Sequence, residues 1–134
     1  MNREGIMRLL LSTLSQFDVH PRLVEELIKI VAGSGYEEKF VRLLLVRLTF
    51  LSQYGVDAVK HEEFELIGGG VFSMHLSQSG FNIRILYSFF PNGQPCLLIP
   101  FHERAGKRKT DYTTYIAPAT SRFKERLEVY ENEH

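Results

Sequence analysis

In the segment VFSMHLSQSGFNIRILYSFFPNGQPCLLIPF, residues 71–101, turn dipeptides separate segments that are apolar or that alternate between apolar and polar residues. Ser79-Gly80 is one turn dipeptide. Asn92-Gly93 is the other and is typical of a two-residue hairpin with positive φ at both residues. Four strands are predicted, at 63–67, 71–76, 82–90 and 96–101. The segment therefore predicts an antiparallel sheet.

Segments with helical periodicity precede and follow these strands in the sequence. Apolar residues at i, i+4 and i+7 predict a helix from Leu23, which ends before Gly33. A capping-box pattern at Ser34 and Glu37 predicts a second helix, which ends at Gly55. Residues 7–13 fit both a helix and a strand, and their apolar run favours a strand. The prediction is a helix hairpin that covers one face of the sheet.

A C-terminal helix is predicted from Pro118, which suits a first helical turn. Phe123, Leu127 and Tyr130 follow at helical spacing and form its apolar face. This helix closes the predicted α+β fold.

Composition predicts one folded domain that spans residues 1–134. The chain is 44% hydrophobic and 24% charged, which is typical of globular domains and excludes intrinsic disorder. A single cysteine and the absence of a signal-peptide pattern predict the cytoplasm. The apolar runs are shorter than the roughly 20 residues that a membrane span needs. Sixteen Lys and Arg balance sixteen Asp and Glu, so net charge gives no argument for nucleic-acid binding.

The two turns also predict which residues lie opposite each other. A two-residue turn at Ser79-Gly80 places His75 across from Arg84, and one at Asn92-Gly93 places Phe101 across from Arg84. Glu103 joins His75 and Arg84 on this face, which we predict to be open. The opposite face is predicted to be the core, with Phe72, Met74, Leu76, Ile83, Ile85 and Tyr87.

In that register Cys96 and His102 point toward the core face and are predicted to be structural. The five histidines lack paired ligand spacing, so we expect no metal site and no cofactor. Residues 68–70 are three glycines without a phosphate-loop lysine, which indicates a turn.

The motifs Phe64-x-Leu66, RILY at residues 84–87 and LLIPFHER at residues 97–104 resemble the RelE/HigB/ParE toxin superfamily across residues 21–130. The resemblance implies an α+β domain with a twisted antiparallel sheet, an N-terminal helix hairpin on one face and a C-terminal helix. The family's usual E-L-R motif is Ser73-Met74-His75 here, and its usual basic pair is Glu103-Arg104.

The resemblance also implies a function. Most members are endoribonucleases that cleave messenger RNA on the ribosome and are silenced by a cognate antitoxin. We therefore expect a bacterial type II toxin with messenger RNA, the ribosome and an antitoxin, such as a helix-turn-helix protein, as partners. One alternative is a ParE-like inhibitor of gyrase without nuclease activity. A second is a degenerate toxin that only binds its antitoxin.

Metal-free RNA cleavage needs a base, an acid and a cation near the phosphorus. His75 could be the base or the acid, and Arg84 could bind phosphate oxygens. Alternatively, His75 is a surface residue and Arg84 pairs with Glu103. The resemblance adds Arg104 as a catalytic arginine and either Tyr112 or Tyr115 as the site tyrosine, with Tyr112 preferred.

The segment after the last strand is locally basic. Arg104, Lys107, Arg108 and Lys109 fall within six positions. Such cations bind the phosphate backbone, and a tyrosine such as Tyr115 can stack on an unpaired base. The alternative is a solvated loop.

The predicted open face also carries four apolar residues, Leu86, Leu97, Ile99 and Phe101. Contiguous apolar side chains on a sheet face usually mark a partner. We expect the antitoxin to cover them, with coverage by the C-terminal helix as the alternative.

Overall fold

The computed structural model describes residues 1–103 and 112–134. Its elements are α1 (Arg3–Thr13), β1 (Asp18–Val19), α2 (Leu23–Val31), α3 (Glu37–Tyr54), a 3₁₀ helix (Gly55–Lys60), β2 (Phe64–Gly68), β3 (Val71–Gln78), β4 (Phe81–Phe89), β5 (Pro95–His102) and α4 (Thr113–Glu133). The five strands form one sheet in the order β1-β5-β4-β3-β2. The fold is therefore α+β, as predicted.

The sheet is mixed, which corrects the expectation of a wholly antiparallel sheet. Strands β2 to β5 are antiparallel, and β1 pairs in parallel with β5. Strand β1 has two residues, which is too short for an alternating pattern to be visible in the sequence.

The N-terminal segment is a helix, so the strand favoured for residues 7–13 is wrong. The Asn2 side chain accepts a hydrogen bond from the Gly5 backbone N–H and caps α1. Ile6, Leu10 and Leu14 are buried at successive i+4 positions, whereas Leu9 and Leu11 are exposed. Helical spacing therefore places the buried residues on one side, and the apolar run 9–11 does not reflect a buried strand.

Helices α2 and α3 confirm the predicted hairpin, with a later start for α3. The helix begins at Glu37, whose carboxylate accepts a hydrogen bond from the Gly33 N–H. The Ser34 hydroxyl accepts one from the Tyr36 N–H, so the reciprocal bonds of a capping box do not form. The backbone N–H of Glu37 itself, followed by those of Gly33 and Gly35, lowers the pKa of the Glu37 carboxyl.

One face of the sheet packs on α1, α2 and α3 and forms the main core. The predicted core residues Phe72, Met74, Leu76, Ile83, Ile85 and Tyr87 all lie in it. His102, at the end of β5, is the partner of the core residue Ile83, as the predicted register requires, but its side chain is exposed.

The β4–β5 hairpin has a three-residue loop instead of the predicted two-residue turn. Phe90 N–H donates to the carbonyl of Gln94, and Gly93 alone in the loop has positive φ, at 88°. A bulge at Leu98 then shifts the register by one residue between the pairs Tyr87–Leu97 and Leu86–Ile99.

Because side chains alternate across a strand, this shift reverses two predicted orientations. Leu97 is fully buried in the main core, so its prediction as an antitoxin-binding surface residue is wrong. Cys96 is buried on the other face, and burial raises the pKa of its thiol. Beyond the bulge the predicted register holds.

Helix α4 covers the second face of the sheet. Leu86 is fully buried, and Ile99 and Phe101 are 8% and 7% exposed, in a cluster with Phe123, Leu127 and Tyr130. The expectation that Leu86, Ile99 and Phe101 form an open antitoxin groove is therefore wrong, and the C-terminal-helix alternative is correct for the isolated chain.

Helix α4 begins at Thr113, five residues before the predicted start, and contains Pro118. Arg122 makes two 2.6 Å hydrogen bonds to the Glu26 carboxylate and a third, of 2.9 Å, to the carbonyl of bulge residue Leu98. Arg126 pairs with Asp18 in β1. These ion pairs fix α4 against α2 and the sheet edge.

Among the described residues, no helix combines the length and apolar character that crossing a membrane requires.

Candidate functional site

His75 and Arg84 form a directly opposed pair on the face of the sheet that carries α4. The Ser79-Gly80 hairpin aligns β3 and β4 so that these residues are partners, as predicted. Phe101 is the partner of Arg84 in β5, also as predicted. Both polar side chains are half-buried, near the end of the sheet beyond the apolar cluster under α4.

Tyr112, the residue immediately before α4, reaches this pair. Its hydroxyl lies 3.1 Å from Ser73 Oγ and 3.3 Å from His75 Nε2. Its ring contacts Phe101 edge-to-face. The structure therefore brings three of the predicted catalytic residues together and places Tyr112, rather than Tyr115, beside the histidine.

Tyr115 occupies a different position. Its ring is stacked on Phe101, with centroids 4.0 Å apart and planes 3° from parallel. One face of the ring is therefore covered by Phe101, and Tyr115 contributes to the core under α4. Only its other face could stack on a base. Arg104, Lys107, Arg108 and Lys109 lie outside the described residues.

Two charged residues near His75 were missed by the sequence reasoning. Glu65 in β2 is the partner of Ser73, and its Oε1 lies 3.6 Å from His75 Nε2. The glycine turn at 68–70 could have indicated this pairing. Arg47 in α3 donates from Nε to the His75 carbonyl at 2.9 Å. No sequence pattern marked this contact, because it joins two different layers.

Within the described parts of the chain, the Arg84 side chain is held by one side-chain hydrogen bond. Its Nη1 donates to Asn82 Oδ1 at 2.7 Å. Its Nε is buried and has no hydrogen-bond partner among residues 1–103 and 112–134. Within the same residues, no ion pair joins Arg84 to Glu103, although Glu103 is buried with an unpartnered Oε2. The predicted alternative of an Arg84–Glu103 pair is therefore wrong.

An open cleft of about 360 Å³ lies beside the pair. It is lined by Arg47, Glu62, Glu63, His75, Ser77 and Arg84. The two guanidinium groups can bind anions, whereas the two carboxylates limit the net positive charge. A phosphate in this cleft would thus be bound by specific contacts more than by a general positive field.

The surroundings of His75 favour the neutral imidazole. Burial, followed by the Arg84 and Arg47 charges, lowers its pKa, and Glu65 partly opposes this effect. A neutral ring at physiological pH can accept a proton. Burial and Glu65 raise the pKa of Tyr112, so its hydroxyl stays protonated and able to donate.

Metal chemistry has no obvious ligand set here. Across the described parts of the chain, no group of three or more His, Cys, Asp or Glu side chains is placed to hold a metal ion.

Comparisons with known proteins leave the resemblance as a prediction. No protein-family model and no curated protein sequence matches this chain.

Proposed function

We propose that this chain is a metal-independent endoribonuclease that cleaves messenger RNA on the ribosome, as the toxin of a type II toxin–antitoxin system. The observation that carries the nuclease proposal is the opposed pair of a neutral His75 and a permanently charged Arg84 beside an open cleft. The proposal that the nuclease is a toxin is supported in addition by the order and spacing of the sequence motifs.

In the proposed reaction, His75 removes the proton from a ribose 2′-hydroxyl. The 2′-oxygen then forms a bond to phosphorus, and the bond from phosphorus to the 5′-oxygen breaks. Arg84, which lines the cleft, stabilises the negative charge that develops on the phosphoryl oxygens. The products are a 2′,3′-cyclic phosphate and a 5′-hydroxyl.

Tyr112 supports the second proton transfer. Its protonated hydroxyl donates to the departing 5′-oxygen, and the imidazolium of His75 returns a proton through the 3.3 Å contact from Nε2. The proton taken from the 2′-hydroxyl is thereby balanced by the proton given to the leaving group. The contacts of the Tyr112 hydroxyl with His75 and Ser73 support this role in proton transfer.

Expression in bacteria with mapping of RNA 5′ ends tests the proposal. Induction should arrest growth and produce new 5′-hydroxyl ends within translated messages, and His75→Ala and Arg84→Ala should abolish both effects. Growth arrest with gyrase inhibition and no new RNA ends would instead support the ParE-like alternative. Absence of both arrest and cleavage would support the degenerate toxin.

A further inference from the structure

Glu65 lies where it can control the protonation of His75. Strand β2 pairs Glu65 with Ser73, which places its carboxylate on the same face as His75. Glu65 Oε1 is 3.6 Å from His75 Nε2, and the Tyr112 hydroxyl is 3.3 Å from the same nitrogen. Tyr112 in turn donates to Ser73 Oγ. Two polar groups, from Glu65 and Tyr112, therefore converge on one ring nitrogen, and Ser73 is linked to it through the Tyr112 hydroxyl.

The chemistry of these groups restricts the histidine tautomer. An ionised carboxylate only accepts hydrogen bonds, whereas a neutral imidazole has one N–H and one lone pair. A lone pair on Nε2 would be repelled by the Glu65 oxygen, while an N–H there can be shared between Glu65 and the Tyr112 oxygen. Among the described residues, the hydrogen bond of the His75 ring to Tyr112 and its 3.6 Å contact with the Glu65 carboxylate are both made by Nε2, so Nδ1 remains for a substrate.

We infer that Glu65 is a positioning residue, which holds neutral His75 in the tautomer protonated at Nε2 and leaves Nδ1 as the base. The catalytic consequence rests on the proposed function, whereas the tautomer itself does not. In residues 1–103 and 112–134, the charged and titratable groups near the ring are Arg84 on β4, Arg47 on α3, Glu65 on β2, Glu62 and Glu63 before β2, and Tyr112 before α4. Of these, Glu65 is the carboxylate that raises the pKa of His75.

Nitrogen NMR of the full chain tests the tautomer directly, because the two ring nitrogens have distinct shifts when protonated. In the wild type we expect Nε2–H to dominate above the pKa of His75. In Glu65→Gln the fraction of Nε2–H should fall, and the pKa of His75 should fall with it. Glu62→Gln removes a charge from the same cleft without a ring contact and is the matched control, expected to leave the tautomer unchanged.

The inference is overturned if wild-type His75 is protonated mainly at Nδ1, or if Glu65→Gln leaves tautomer and pKa unchanged. It is also overturned if Tyr112→Phe alone shifts the tautomer, since Tyr112 would then set it. These readouts do not depend on RNA cleavage, so failure of the proposed function is recognised separately, by an inactive wild type.

If the wild type cleaves RNA, Glu65→Gln should slow the single-turnover rate while leaving RNA affinity unchanged or tighter, because a negative charge near phosphate is removed. We expect a loss of about tenfold or more, part of the roughly 10²–10⁴-fold that general acid–base catalysis supplies. Glu38→Gln, which removes an exposed carboxylate on α3, is the control for the rate. An equal loss of rate in Glu65→Gln and Glu38→Gln, or a loss of affinity alone in Glu65→Gln, would contradict a positioning role.

Discussion

Arg84 offers the simplest test at the scale of single residues. Arg84→Ala should lower the single-turnover rate by about 10²–10³-fold, as removal of one preorganised donor to a developing charge does elsewhere. The fold should persist, because Arg84 makes only one side-chain hydrogen bond to a described residue, Asn82. Arg42→Ala, in an exposed pair with Glu38 on α3, is the control and should cleave normally.

Cleavage by Arg84→Ala at the wild-type rate would remove this residue from the mechanism. Thermal unfolding of both variants, followed by circular dichroism, separates a lost site from a lost fold.

His75 should make stability depend on pH in a known direction. Its pKa in the folded protein is below the ordinary value near 6.5, so the unfolded chain binds the proton more readily. The free energy of unfolding should therefore fall as the pH drops from about 6.5 through the lowered pKa. Urea unfolding at several pH values should show this loss in the wild type and less of it in His75→Gln. Parallel pH profiles would mean that the folded protein does not resist protonation of His75.

The residue scale was also where the sequence was most informative. A two-residue turn fixes the pairing of the two strands that it connects, so the pairing of His75 with Arg84 could be predicted. The sequence alone could not single out Glu65 and Arg47 as site residues, because charged residues are common on exposed surfaces. Their role depends on a neighbouring strand and on a helix from the other layer.

At the scale of elements, the attachment of α4 depends on Arg122. This residue is 8% exposed and binds both oxygens of Glu26. Arg122→Ala should destabilise the fold by about 2–4 kcal/mol, because it leaves the Glu26 charge and the Leu98 carbonyl without this partner. Chemical denaturation measures this change.

The matched control is Arg3→Ala, which breaks the exposed ion pair between Arg3 and Glu25. It should cost less than about 1 kcal/mol. Similar losses in the two variants would show that the Arg122–Glu26 pair does not anchor α4.

Elements with strong periodicity could be predicted, whereas small irregularities could not. The apolar spacing of α2 and the strand pattern of β4 are visible in the sequence. The bulge at Leu98 is not visible in the sequence, because it adds one residue without a distinctive composition. It nevertheless reverses the faces toward which the Leu97 and Cys96 side chains point. The strand β1 depends on pairing with β5, which is distant in the sequence.

At the scale of the whole molecule, RNA affinity should depend on the basic segment as well as the cleft. The chain has no net charge, and the cleft combines two arginines with two glutamates. Neutralising Lys107, Arg108 and Lys109 together should therefore reduce the salt dependence of single-stranded RNA binding. The slope of log K against log salt should change by up to about 0.7 per lost phosphate contact.

Replacement of Lys29, Lys39 and Lys60 removes the same number of charges from α2, α3 and the 3₁₀ helix, and serves as the control. Equal slopes for the wild type and the variant lacking Lys107, Arg108 and Lys109 would mean that the segment does not contact phosphate.

The proposed function requires that His75 and Arg84 cleave RNA by attack of a ribose 2′-hydroxyl without a metal. The most direct measurement is incubation of the purified chain and ribosomes programmed with a defined message, with and without a single 2′-deoxy nucleotide at the mapped cleavage position and with a chelator of transition metals. We predict cleavage of the ribose message to a 2′,3′-cyclic phosphate and a 5′-hydroxyl, and none at the deoxy position. Cleavage of the deoxy message at that position, or products that carry a 5′-phosphate, would contradict the mechanism.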